Sequence, residues 1–164
     1  MAPLLKINAV AFVSAQNFPI MVRSFAGDND DLKYHYLAHT SLDVIEERTS
    51  QPKLNECYLG LLFSMEEVAV YGFVTPLKLK IILALALTDT VVRDADIILV
   101  FKAFHAAYAR SIANPFLRLH TSPESSGLVD PSPALLTEAN ADARRTTAFK
   151  QRVDDVARTI LGHE

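Results

Sequence analysis

The stretch LKYHYLAHTSLDVIEE, at residues 32–47, decides the fold of this chain because it is the one helix signal between two groups of strand-like segments. Its apolar residues recur at helical spacing and Pro52 ends the pattern, so an amphipathic helix is predicted at residues 32–49. Asp30 and Asp31 can cap this helix, because carboxylates accept hydrogen bonds from first-turn N–H groups. The predicted apolar stripe consists of Leu32, Tyr36, Leu37, Ala38, Leu42 and Ile45.

Five segments around this helix are predicted to be β-strands. Before the helix, residues 4–15 and residues 18–25 are joined by a short turn and are predicted to form a hairpin. After it come residues 57–63, 69–75 and 78–87, whose short connections favour antiparallel neighbours. The last of these strands is nearly all Ile, Leu and Ala, which indicates burial on both faces of a sheet.

Two further helices are predicted in the second half of the chain. Large apolar residues recur in steps of three and four at residues 91–113 and predict the first of them. Residues 121–133 are rich in Ser and Pro and indicate a flexible loop, after which residues 139–161 predict the last helix. The apolar stripe at residues 91–113 consists of Ile97, Phe101, Phe104, Tyr108 and Ile112.

The order β-β-α-β-β-β-α-α predicts an α+β fold. Strands buried on both faces and amphipathic helices require helices on both sides of one antiparallel sheet. On this basis we divide the chain into a core at residues 1–120, a Ser- and Pro-rich flexible loop at residues 121–138, and a C-terminal helix at residues 139–164 that completes or flanks the core.

The composition excludes several classes of function. A net charge of -3 lacks the basic footprint of a nucleic-acid-binding protein. The most apolar run, residues 81–87, is far shorter than the roughly 20 residues of a membrane helix. The single cysteine, Cys57, cannot form an internal disulfide and suits a reducing compartment. We therefore expect a cytoplasmic protein that binds no nucleic acid and meets membranes only through other proteins.

One group of residues resembles a chemical site. His35, His39 and Asp43 are spaced by four and share a helix face, and two histidines at this spacing can ligate a metal. The residue after His35 is Tyr36, so the glutamate of the HExxH motif is missing, and no nucleophile elbow surrounds Ser41. We expect no metal, no cofactor and no catalytic activity, and interpret the stripe as a surface that packs beneath a loop or binds a partner.

Four short motifs occur together in this chain: HTSLD at residues 39–43, YLG at residues 58–60, YGFVT at residues 71–75 and NPF at residues 114–116. Their combination resembles the sedlin family of TRAPP subunits, and most of all its sedlin-like branch. The resemblance covers residues 7–116. The loop inserted after it and the longer last helix are similar to fungal members of the family.

The resemblance implies a longin-like (SNARE-like) fold, with a five-stranded antiparallel sheet between one helix and two helices. It also implies a non-catalytic subunit of TRAPP, the complex that tethers vesicles and exchanges nucleotide on Rab-family GTPases in ER-Golgi transport. The sedlin-like branch is associated with the TRAPP II form, whose assembly it assists by binding a large subunit. The implied location is cytoplasmic and peripheral at the cis-Golgi and trans-Golgi network, with the Rab reached through the assembled complex.

Asp43 is the residue that we expect to bind the partner, with His39 and Glu46 in support. Asp43 lies in a run that otherwise packs, and an acid there can pair with an Arg or Lys of another subunit. The alternative is an internal bond between Asp43 and a backbone N–H group or His39. Two other functions remain open: a stand-alone longin module that binds a SNARE or a small GTPase directly, and a small enzyme.

Overall fold

The computed structural model describes residues 5–25, 31–51, 57–88, 91–113 and 143–161. Five strands and three helices occur there in the predicted order. The strands are β1 (Ile7–Val13), β2 (Pro19–Ser24), β3 (Tyr58–Met65), β4 (Val68–Val74) and β5 (Lys80–Ala86). The helices are α1 (Asp31–Thr49), α2 (Asp94–Ile112) and α3 (Ala143–Leu161). The loop predicted at residues 121–138 and the NPF motif lie outside the described residues.

The five strands form one antiparallel sheet in the order β2-β1-β5-β4-β3. The two most apolar strands, β1 and β5, are neighbours near the centre, where both faces of the sheet are covered. Six of the seven residues of β5 are buried, as the run of Ile, Leu and Ala predicts. β2 and β3 are the two edges of the sheet.

Each face of the sheet has its own hydrophobic core. Helix α1 packs on one face, where β1 contributes the small side chains Ala9 and Ala11. Helices α2 and α3 pack on the other face, where β1 contributes Phe12. The ring of Phe12 lies 5.1 Å from that of Phe149 in α3 and 6.1 Å from that of Tyr108 in α2, between ring centroids. The predicted α+β class, with one helix on one face and two on the other, is confirmed.

Helix α3 is held by polar contacts as well as by its apolar stripe. The guanidinium of Arg23 on β2 donates two hydrogen bonds to the carboxylate of Asp154, at 2.9 and 3.2 Å. Arg152 donates to the hydroxyl of Ser111 in α2 at 3.0 Å. These three hydrogen bonds tie α3 to the edge strand β2 and to the neighbouring helix α2.

The predicted apolar stripe of α1 is wrong at two positions. Leu32 and Tyr36 are 83% and 61% exposed, whereas Tyr34 and Ser41 are buried. The hydroxyl of Ser41 donates to the carbonyl oxygen of Leu37, which satisfies this polar group within the helix and lets it face the sheet. In α2, Ile112 is also more exposed than predicted, at 44%, because it lies in the last turn.

Because the hydroxyl of Tyr108 is buried, we expect the protein to become less stable at alkaline pH. Burial raises the pKa of its hydroxyl from 10.0 to about 12, and this hydroxyl makes no hydrogen bond within the described part of the chain. Above about pH 10 the unfolded chain releases this proton and the folded chain keeps it, so stability falls as the pH rises.

We expect Tyr108→Phe to change the free energy of unfolding by less than about 0.5 kcal/mol at neutral pH. Between about pH 9 and pH 12 we expect the variant to lose about 2 kcal/mol less stability than the wild type. Urea unfolding across this pH range is the measurement. The control is Tyr36→Phe, because that ring is mostly exposed. Parallel curves for Tyr108→Phe and the wild type would contradict the expectation.

Candidate functional site: the outer face of helix α1

The inward side chains of α1 fix which of its residues face away from the sheet. Tyr34, Leu37, Ala38, Leu42 and Ile45 are buried in the core beneath the helix. The opposite side of the helix is exposed along its whole length. This outer face of α1 consists of Leu32, His35, Tyr36, His39, Asp43, Glu46 and Glu47.

Charge and hydrophobicity are distributed unevenly along the outer face of α1. Its first half carries the exposed apolar side chains Leu32 and Tyr36. Its second half carries Asp43, Glu46 and Glu47. Carboxylates in the C-terminal half of a helix oppose the helix dipole, and Asp has a low helix propensity, so helix stability does not account for Asp43. Such a face, apolar at one end and acidic at the other, suits binding of another protein.

Asp43 is the first residue of this acidic half. Its side chain is exposed, and it makes no hydrogen bond or ion pair with the residues that the structure describes. Within those residues it therefore forms neither internal bond that the sequence left open, to a backbone N–H group or to His39. An exposed carboxylate without an internal partner is able to accept a charge-assisted hydrogen bond from an arginine or lysine of another chain.

Glu46 differs from Asp43 because it is held within the protein. Its carboxylate accepts a hydrogen bond from the side-chain amide of Asn17, whose carbonyl oxygen accepts one from the ammonium group of Lys80. Lys80 is buried; desolvation lowers its pKa, and the negative charge of Glu46 partly opposes this effect. The bridge Lys80–Asn17–Glu46 thus ties α1 to the β1–β2 turn and to β5, so that Glu46 positions the outer face of α1.

The β1–β2 and β4–β5 hairpin turns lie at the same end of the sheet and have the same hydrogen-bonding pattern. Each turn begins with a hydroxyl residue, Ser14 or Thr75. The carbonyl oxygen of this residue accepts a hydrogen bond from the backbone N–H three residues later, and its hydroxyl accepts one from the backbone N–H four residues later. The fourth residue, Asn17 or Lys78, has a φ of 66° or 63°. Asparagine tolerates this left-handed conformation and lysine does so poorly.

The two turns give a matched pair of substitutions. We expect Lys78→Gly to raise the free energy of unfolding by about 0.5–1 kcal/mol, because it relieves the backbone strain of an exposed residue. Asn17→Gly relieves less strain, because asparagine tolerates this conformation, and it removes both hydrogen bonds of the bridge, so we expect it to lower stability by about 1–3 kcal/mol. Chemical denaturation measures both. Equal effects of the two substitutions would show that the bridge contributes nothing.

His39 adjoins a shallow cleft between α1 and the β1–β2 hairpin. His35, His39 and Leu42 line one side of the cleft, and Asn17 and Pro19 line the other. No group of three or more metal-ligating side chains occurs among the described residues, so the structure does not assemble His35, His39 and Asp43 into a metal centre. Of the described helices, none combines the length and apolar character that crossing a bilayer requires.

The sequence reasoning placed Asp43 and His39 on an exposed helix face, and both lie there. It missed Asn17 and Lys80, which are 29 and 34 residues away from Glu46 along the chain. The one local signal was Asn17 itself, since asparagine in a short turn favours a left-handed conformation.

Comparison with known proteins agrees with the resemblance stated above. The family model described as Sedlin matches residues 12–158, which include parts or all of every strand and helix. The trafficking protein particle complex subunit 2-like protein of Bos taurus is 38% identical over 112 residues, or 65% of this chain and 80% of that protein. The protein of the same name from Dictyostelium discoideum is 37% identical over 125 residues, or 73% of this chain and 89% of that protein. The chain therefore belongs to the sedlin family.

Proposed function

We propose that this chain is a non-catalytic subunit of TRAPP, and of its TRAPP II form, that assists assembly of the complex in ER-Golgi and Golgi vesicle transport. The observation that carries the proposal is the similarity to TRAPP subunit 2-like proteins over 80–89% of their length. Nucleotide exchange on a Rab-family GTPase is then a property of the assembled complex. The chain acts in the cytoplasm and is peripheral at the Golgi through its partners.

The outer face of α1 is the surface that we assign to the large TRAPP II subunit. Asp43 pairs with a basic residue of that subunit, and His39 lies one turn before it on the same face. Leu32 and Tyr36 supply exposed apolar area at the other end of the face, and an aromatic side chain is a frequent anchor in protein interfaces. Glu46 contributes by holding α1 against the β1–β2 turn.

Affinity purification of the tagged full-length chain from its native cytosol tests the proposal. We expect mass spectrometry to find the other TRAPP subunits in near-equal amounts, a large TRAPP II subunit among them. Recovery of TRAPP subunits without that large subunit would contradict the TRAPP II assignment alone. Recovery of the chain as a monomer, or with a SNARE or a GTPase as its sole companion, would overturn the proposal in favour of a stand-alone longin module.

A further inference from the structure

The outer edge of β3 is an unusual surface for a cytoplasmic domain. Its sequence, YLGLLFSM, holds eight residues without a charge or a proline. An edge strand leaves a row of N–H and C=O groups without strand partners, and proteins ordinarily protect such a row with charges, prolines or covering elements. Within the part of the chain that the structure describes, no strand or helix pairs with this side of β3.

The opposite edge of the sheet shows that this chain does protect an edge where pairing is unwanted. β2 begins at Pro19, which has no N–H group to donate. Further along β2, the guanidinium of Arg23 is held by Asp154, which brings α3 against the strand. These features close the β2 edge to another strand, and residues 61–65 of β3 have none of them.

The first part of β3 is closed in a different way. Arg48 of α1 donates a hydrogen bond to the carbonyl oxygen of Leu59 at 2.7 Å. The next residue, Gly60, has a φ of 77°, and the pairing register with β4 shifts between Tyr58 and Gly60 and again between Leu61 and Phe63. The segment beyond Gly60 runs from Leu61, whose side chain is 46% exposed, through the exposed Ser64 to Met65.

Acidic groups stand at both ends of β3. At its start, the hydroxyl of Tyr58 donates a hydrogen bond to the carboxylate of Asp94 at 3.1 Å, which places this exposed acid beside the strand. At its end, Glu66 and Glu67 form the turn to β4. Glu66 is paired with Lys33, and Glu67 is exposed without an ion pair to any residue that the structure describes. A basic residue on each side of a docked strand would complement these charges.

These charges also disfavour a second copy of the chain as the occupant. Antiparallel pairing of two β3 strands about Phe63 would bring the turn with Glu67 of one copy toward Asp94 of the other. Among the described residues near that contact, the cations already have partners: Lys33 pairs with Glu66, Arg93 with Asp96, and Arg48 donates to the carbonyl oxygen of Leu59. Each copy carries a net charge of -3, which adds to the repulsion.

We propose that residues 61–65 accept a β-strand from a partner subunit, an uncharged extended segment with a basic residue at each end, which extends the sheet beyond β3. This inference rests on the proposed function, because it requires an assembled complex. Backbone hydrogen bonds would give the affinity, and contacts with Leu61 and the flanking acids would give the selectivity.

Hydrogen exchange of the free protein and of the complex purified through its tag tests this inference. We expect the amides of residues 61–65 to exchange at least about tenfold more slowly in the complex, while the outer side of α2 around Leu99 is unchanged. A complex with no protection at these residues overturns the inference and leaves the proposed function intact. Purification without any TRAPP subunit overturns both.

The free protein distinguishes the remaining occupants. Protection of residues 61–65 that grows with protein concentration would mean that a second copy pairs with β3. Protection at every concentration would mean that another part of this chain covers the edge. Either result overturns the inference, which expects fast exchange in the free protein.

A pair of leucine substitutions tests the edge directly. We expect Leu61→Lys to reduce recovery of the partner subunits at least about fivefold, because a lysine there repels the basic ends of the docked strand and blunts the edge. Leu99→Lys adds the same charge to an exposed leucine of α2, away from β3, and is expected to leave recovery unchanged. Thermal unfolding of both variants confirms that they fold. Equal recovery for the two folded variants would overturn the inference.

Discussion

Replacing Phe149 with alanine is expected to lower the free energy of unfolding by about 3–5 kcal/mol, the usual effect of truncating a buried phenylalanine. Phe149 is 1% exposed, and its ring packs edge-on against Phe12 of the central strand and Tyr108 of α2. The substitution leaves a cavity where α3, α2 and the sheet meet. For a chain of this size, we expect a decrease in Tm of roughly 10–15 °C.

Leu99→Ala is the control for this substitution, because it removes a large apolar side chain that is mostly exposed on α2. We expect it to change stability by less than about 0.5 kcal/mol. Calorimetry and denaturant unfolding of the full chain measure both variants. A loss of stability below about 1 kcal/mol for Phe149→Ala would contradict the packing of α3 in the core, because truncating a well-packed phenylalanine destabilises a protein by more than this.

The position of α3 shows what periodicity alone could predict. Phe149, Val153 and Ala157 are buried at helical spacing, so a helix with one apolar side was visible in the sequence. The side chains that dock this helix, Arg23 and Ser111, lie on other elements. The ion pair between Arg23 and Asp154 joins residues 131 positions apart, so it depends on the tertiary fold and cannot be predicted from a local sequence pattern.

For helix α1, the sequence predicted the helix but not which side of it faces the sheet. Its existence and bounds followed from the spacing of its apolar residues, but Tyr36 was assigned to the inward side and Tyr34 was overlooked. Both are tyrosines two positions apart, and hydropathy does not distinguish them. Ser41 is buried on the same side of the helix as Tyr34 and Ile45, and its hydroxyl donates a hydrogen bond to the carbonyl oxygen of Leu37. A pattern that treats serine as polar places the stripe incorrectly.

The same misassignment affected what the sequence could say about function. With Leu32 and Tyr36 placed in the core, the outer face of α1 looked entirely polar. The structure adds these two exposed apolar side chains to the acidic ones on the outer face of α1. Likewise, the edge position of β3 depends on the sheet order, which neither its composition nor its length could provide.

Replacing Asp43 with lysine is expected to reduce binding of the large TRAPP II subunit at least about tenfold. The substitution removes the carboxylate that we propose pairs with a basic residue of the partner, and it puts a like charge in its place, which is more disruptive than truncation. The isolated fold is expected to be retained, because Asp43 is exposed and has no bond to any other described residue. Lysine also has the higher helix propensity, so we expect an equal or slightly higher Tm.

Asp155→Lys is the matched control for Asp43→Lys. It makes the same change of charge on an exposed helical aspartate, but on α3, across the sheet from α1. It removes a single surface ion pair with Arg158, at 3.7 Å, and such pairs contribute little. Quantitative mass spectrometry of the purified complexes should show loss of the large subunit for Asp43→Lys and full recovery for Asp155→Lys. Equal recovery would refute the assignment of Asp43 to the interface, and unfolding of Asp43→Lys in isolation would show that its role is structural.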